Sequence, residues 1–153
     1  MISFELQSDM NNLAQVEEFV DQLCDSCNLG NHRAIITMAL LHAVENAILH
    51  GNKNDVSKKV FISCEQNLNS LLFRVCDEGE GFPYMNYADY DQLLNGYTDG
   101  LFLLRSLCDG LSFEQGGKVV CMNFVINGIN NNIALKRASV IKHFYAHSTV
   151  GVL

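Results

Sequence analysis

Three short stretches set chemistry-bearing side chains at spacings that let them share a ligand. In AVENAILHG, Asn46 and His50 stand four residues apart. At about 100° per residue they lie about 40° from each other on one helical face. An amide there could complete a Mg2+ shell alongside phosphate oxygens and water. In VCDEGEGFP, a β-rich run delivers Asp77 into a turn with Gly79 and Gly81. A carboxylate at a strand end can accept from an exocyclic amino group such as adenine's, and glycines let the backbone approach a flat ring. In TDGLFLLRSLCD, Gly100 opens a helix whose first N–H groups are free to hold an anion. Each stretch has a plainer reading. Asn46 could be a buried amide bonded to backbone, and His50 a cation at a helix end. DEGEGF could be an acidic turn and Gly100 the start of a capped core helix. Jointly, the three stretches point one way, towards a shared ligand site.

These residues need a scaffold that brings them together. Ile2, Phe4 and Leu6 alternate with polar neighbours, which predicts an edge strand over residues 2–7. Ser8 or Asp9 can cap a helix whose apolar residues Leu13, Val16, Val20 and Leu23 recur at helical spacing, ended by the Asn28-Leu29-Gly30 turn. A second helix is predicted from Asn31 or His32 through ALLHAVENAILHG, apolar nearly all round except for a polar row at His42, Glu45, Asn46 and His50. Residues 59–65 and 70–76 read as an antiparallel hairpin. Residues 77–100 hold four glycines and the only proline, with Tyr84, Tyr87 and Tyr90 interleaved, and read as a long mobile loop. A third helix over 100–108, a strand over 111–113, a Gly116-Gly117 turn and a last strand over 118–126 complete the order βααββ, loop, αββ. Residues 1–127 are expected to form one domain. Residues 128–153 read as a C-terminal extension with a short helix carrying Lys136, Arg137, Lys142 and His143.

At 153 residues the chain suits a single core. Its 48% apolar and 18% charged content excludes a disordered chain. A net charge of −7 opposes binding to nucleic acid or anionic membranes. The start MISFELQSDM lacks a signal peptide's basic and apolar regions, and the apolar segment Ala34 to Leu49 is interrupted by His42, Glu45 and Asn46. A cytoplasmic location is the expectation. There the six cysteines would stay reduced, and the single CxxC pair, Cys24 and Cys27, has no second pair at zinc-site spacing.

NAILHG from Asn46, DEGEGF from Asp77, GLFLLRSL from Gly100 with Asp109, and Gly116-Gly117 before the last strand resemble the N, G1 and G2 boxes and closing hairpin of the ATPase domain shared by gyrase, histidine kinases and bacterial anti-sigma-factor kinases. The likeness covers about residues 1–126 and is strongest to the anti-sigma serine kinases, which hold a sigma factor and phosphorylate an anti-anti-sigma partner of the STAS type. It implies an α+β fold, a two-layer α/β sandwich with helices on one face of a mixed, mostly antiparallel sheet. It also implies ATP or ADP with Mg2+ as cofactors. Asn46 would bind Mg2+, Asp77 the adenine amine, and Gly79 and Gly81 the adenine's surroundings, with His50, Gly51 and Phe82 bordering the same site. Thr98, Gly100, Leu101, Phe102 and Leu103 would take the phosphates, under a lid formed by the loop.

Two positions depart from that pattern. His42 stands where the family has the glutamate that orients or deprotonates the nucleophile, so His42 is the candidate catalytic residue and phosphotransfer is expected to be weak or absent. Thr98 stands where the G2 box has its first glycine. Two other functions therefore stay open. One is an interaction module with a vestigial nucleotide site, its tail making a homodimer or covering the pocket; the other is a detached histidine-kinase catalytic domain. Among smaller signals, His143 and His147 share a helical face that could ligate a metal or simply be solvated, and Tyr84, Tyr87, Tyr90 and Tyr97 could stack on a ligand or on each other.

Overall fold

The computed structural model describes residues 1–82, 98–126 and 140–141, and of Thr98 and Asp99 the backbone only. The first strand, β1, is Ile2–Gln7. Asp9 caps the following 3-10 turn Met10–Asn12, its carboxylate accepting the Asn11 N–H at 2.9 Å. Helix α1 then runs Leu13–Ser26, burying Val16, Val20, Leu23 and Cys24. It ends where Asn28 turns left-handed (φ 55°). This agrees with an amphipathic helix stopped by a turn residue that tolerates positive φ.

A 3-10 turn at Gly30–His32 leads into α2, Arg33–Asn46, and then into a π-helical turn at Ala47–Gly51. By length and composition Gly30–Gly51 is apolar enough to cross a membrane. Here it is the core helix: Ile36, Ala39, Leu40, Ala43, Val44 and Ile48 are at most 1% exposed. Burying each large aliphatic side chain contributes about 1.5–3 kcal/mol. Strands β2 (Lys59–Gln66) and β3 (Ser70–Cys76) form the expected hairpin. Helix α3 is Thr98–Leu107, and β4 (Gly110–Glu114) joins β5 (Val119–Val125) through a 3-10 turn at Gln115–Gly117.

The sheet order is β1-β2-β3-β5-β4. Each of its four pairings is antiparallel, so the mixed component of the expected sheet is absent among the described strands. The connections account for this: β2–β3 and β4–β5 are hairpins, and the helical excursions α1–α2 (from β1 to β2) and α3 (from β3 towards β4 and β5) each bring the chain back antiparallel to the neighbouring strand. The register aligns Phe4, Ile62, Val75, Val120 and Phe113 in one row across all five strands. That face joins the helices in one core around Phe73, Met122 and Phe124. The alternate row, Glu5, Phe61, Cys76, Val119 and Glu114, lines an open groove of about 430 Å3 on the other face.

All six cysteines are free thiols. Burial pushes the Cys64 thiol up to about 12 and also raises Cys24. Among the described residues no group of His, Cys, Asp or Glu is arranged to hold a metal. Val140 and Ile141 are helical and pack against the core. The rest of the extension, the tyrosine series and the His143 and His147 pair lie outside the described residues.

Candidate functional site

The C-terminal end of α2, the turn after β3, the β4–β5 turn and the start of α3 converge at one end of the molecule. At the centre is Asp77. Its Oδ1 accepts the Gly79 N–H at 2.8 Å, and its own N–H donates to the Lys118 carbonyl at 3.1 Å. Gly51 and Gly79 crowd the carboxylate so tightly that a Cβ on either would overlap it or the Gly51 carbonyl. Burial raises the Asp77 carboxyl above its usual range, against the lowering effects of the Gly79 N–H, Lys118 and Lys58. This is a half-buried acceptor between two bare backbone segments, which suits the amino edge of a flat ring.

The turn from Asp77 to Phe82 is braced on both sides. On one side Glu78 N–H donates to Asn52 Oδ1 at 2.8 Å, and Glu78 Oε2 accepts the Lys59 N–H at 2.5 Å. On the other, Phe82 N–H donates to the Gly116 carbonyl at 3.1 Å, and the Phe82 ring meets Phe113 edge-on at 5.0 Å. Gly81 (φ 80°) and Gly117 (φ 91°) occupy left-handed conformations where added Cβ atoms would strike Gly116 and Phe82 respectively. Here glycine is required both by backbone angle and by space.

The third part is the contact between α2 and α3. Gly100 lies against the His42 ring, where a Cβ would overlap Nε2, and within reach of Asn46, whose Nδ2 would be 3.5 Å from it. His42 has an 18% exposed side chain and lies with Nδ1 3.7 Å from Glu45 Oε2. That carboxylate favours a charged ring, yet burial, followed by His50, lowers the His42 pKa. Burial therefore dominates, and the ring is neutral at neutral pH.

Asn46, Gly51, Asp77, Gly79, Gly81, Phe82 and Gly100 thus belong to this end of the fold, with His42 beside them. His50 is exposed. The 40° reckoning for Asn46 and His50 assumed α-helical steps, but the chain after Asn46 is wound as a π turn, with Asn52 N–H bonded to the Ala47 carbonyl five residues back. Helix α3 begins at Thr98, two residues before the glycine expected to open it, so its first-turn N–H groups are those of residues 98–101. Leu101 is half-buried, Phe102 exposed, and Leu103 a core residue at 2% exposure. The side chain of Thr98 lies outside the described residues.

Sequence reasoning missed Asn52, which is fully buried and joins three segments. In the sequence it stands in the polar run GNKNDVSKK, indistinguishable from solvated turn residues. Asn46 stands at this end with Nδ2 towards Gly100; its single amide oxygen could supply only one ligand to a Mg2+ ion, whose shell phosphate oxygens and water would have to complete.

A family model described as "Histidine kinase-like ATPase domain" matches residues 6–124. No curated protein matches the chain.

Proposed function

The chain belongs to the histidine kinase-like ATPase domain family, and on that basis we propose that it binds ATP or ADP with Mg2+ and acts as a nucleotide-dependent regulator of the anti-sigma type. The observation that carries the nucleotide reading is the Asp77 carboxylate between Gly51 and Gly79, held by the Gly79 N–H. Asp77 accepts the adenine amino group, the two glycines let the backbone close on the carboxylate and fix its position, and first-turn N–H groups of α3 face the phosphates. Asn46 reaches the metal, which supplies charge neutralisation at the phosphates when bound. The proposed partners are a sigma factor or an anti-anti-sigma protein, and the proposed location is the cytoplasm.

One observation favours a binding protein over an active kinase. His42, where the resembled family has glutamate, is a half-buried neutral ring against Gly100 rather than a carboxylate facing the phosphates. A neutral imidazole can accept a proton, but burial makes the resulting cation costly. Phosphotransfer is therefore slow or absent, and the nucleotide serves as a conformational ligand.

Calorimetry with ATP and ADP plus Mg2+ tests the first claim, with Asn46→Ala as control. Absence of binding by the native chain would overturn it. Incubation with γ-labelled ATP and an anti-anti-sigma protein tests the second, and rapid labelling of a partner serine would restore the kinase reading.

A further inference from the structure

Asn52 has no exposed surface, and its carboxamide is bonded at both ends. Nδ2 donates to Ser8 Oγ at 2.7 Å and to the Lys59 carbonyl at 2.9 Å, while Oδ1 accepts the Glu78 N–H at 2.8 Å. One side chain thus ties the end of β1 and the start of β2 to the turn that carries Asp77. Ser8, itself 1% exposed, is the only other buried polar residue among those described.

The geometry also explains how Asn52 arrives there. The π turn carries the chain through one wide loop that ends on Asn52, and Lys53 and Asn54, both left-handed (φ 55° and 59°), then reverse it. Two positive-φ residues that are not glycine carry backbone strain that favourable contacts must offset. The same π turn places Gly51 against Asp77. A π turn, a strained reversal and a saturated buried amide therefore all act on one three-residue turn.

We propose that Asn52 is a positioning residue for the nucleotide site: through Glu78 it fixes the Asp77-Glu78-Gly79 turn at the height and tilt that let Asp77 meet the purine. This inference rests on the nucleotide reading above. It goes beyond that reading because Asn52 touches no part of the ligand and acts only through the turn. Without the Oδ1 acceptor, the Glu78 N–H loses its protein partner and the turn samples other conformations. Apparent affinity then falls by the fraction of time the turn is competent.

The test compares Asn52→Ala, the milder Ser8→Ala, and Val20→Ala, a core change in α1 remote from the site. ATP and ADP affinity is measured by calorimetry, melting temperature by calorimetric scan, and amide hydrogen exchange at Glu78 and Gly79 on the ligand-free chains. Asn52→Ala is expected to weaken affinity about tenfold, the effect of losing roughly one buried hydrogen bond. It should also speed exchange at Glu78 and Gly79 while the centres of β2 and β3 stay protected. Ser8→Ala should weaken affinity about threefold, a fraction of the same effect. Val20→Ala should lower the melting temperature and leave affinity unchanged. If Asn52→Ala proves insoluble, Ser8→Ala decides the matter, since a purely structural hub predicts native affinity for it. Native affinity in both site variants, or equal losses in Val20→Ala, would overturn the inference while the nucleotide reading stands. A native chain that binds neither nucleotide would overturn the reading itself.

Discussion

Gly51 lies so close to the Asp77 carboxylate that a single added carbon would sit 2.8 Å from Oδ1 and overlap the rest of the group. The bare Cα at the end of the π turn is thus one wall of the proposed purine site. Gly51→Ala should displace Asp77 and its turn together. The expected result is loss of detectable nucleotide binding and a stability cost of about 1–3 kcal/mol, the range for overpacking a tight site. Denaturant titration and calorimetry read the two effects. Native affinity in Gly51→Ala would show that Asp77 can move without consequence.

A second steric relation couples α2 to α3. A Cβ on Gly100 would sit 2.4 Å from His42 Nε2, so Gly100→Ala should push the first turn of α3 off α2. His42→Ala alone removes packing, whereas the double variant makes room for the new methyl group. A double-mutant cycle on unfolding free energy should show a favourable coupling of about 1 kcal/mol or more. Strict additivity would mean the two residues do not bear on each other in solution.

Asp77 should be costly to the fold and necessary to the ligand. Burial raises its pKa, so above that pKa the folded state holds a charge that the unfolded state holds more easily. Stability from this group is therefore lower at neutral pH and recovers as pH falls through the folded pKa toward the unfolded one. Asp77→Asn keeps an oxygen for the Gly79 N–H and removes the buried charge. It should raise the melting temperature slightly, by up to about 4 °C, while abolishing nucleotide binding. A melting temperature several degrees below native would contradict this account.

Much of this arrangement is legible in the residue types. The alternation in Ile2, Phe4 and Leu6 and the helical spacing of Leu13, Val16, Val20 and Leu23 are strong periodic signals because one face of each element is buried. Asp77 and its glycines announce themselves by composition. The π turn does not: Ala47 to Gly51 continues a helical pattern, and nothing in AILHG distinguishes five-residue from four-residue hydrogen bonding. Asn52 is hidden for the same reason, since its burial is created by Ser8, Lys59 and Glu78, which are far apart in the chain. The start of α3 at Thr98 rather than Gly100 is likewise not marked in the sequence, because Thr98 and Asp99 continue into the helix without a distinctive cap signal.

The pH dependence of stability should reveal which force governs His42. Glu45, 3.7 Å from Nδ1, would raise the ring's pKa if it dominated, and stability would then be greatest in acid and decline as pH rose through the folded value. Burial and His50 act the other way, and the net direction is a folded pKa below the ordinary 6.5. At pH 7 and above, the ring is mainly neutral in both states and contributes little slope. As pH falls through 6.5 the unfolded ring takes up a proton that the folded ring refuses, so stability is lost until the folded pKa is reached. The slope from one such group is at most about 1.4 kcal/mol per pH unit. Unfolding free energies of the native chain and His42→Gln, compared between pH 7.5 and 5, should therefore diverge in acid, with the native chain falling faster. Parallel curves would remove the buried-ring account. A native curve that falls less than the His42→Gln curve would mean that Glu45 holds the proton on, leaving a cation beside Gly100, on the side proposed for the phosphates.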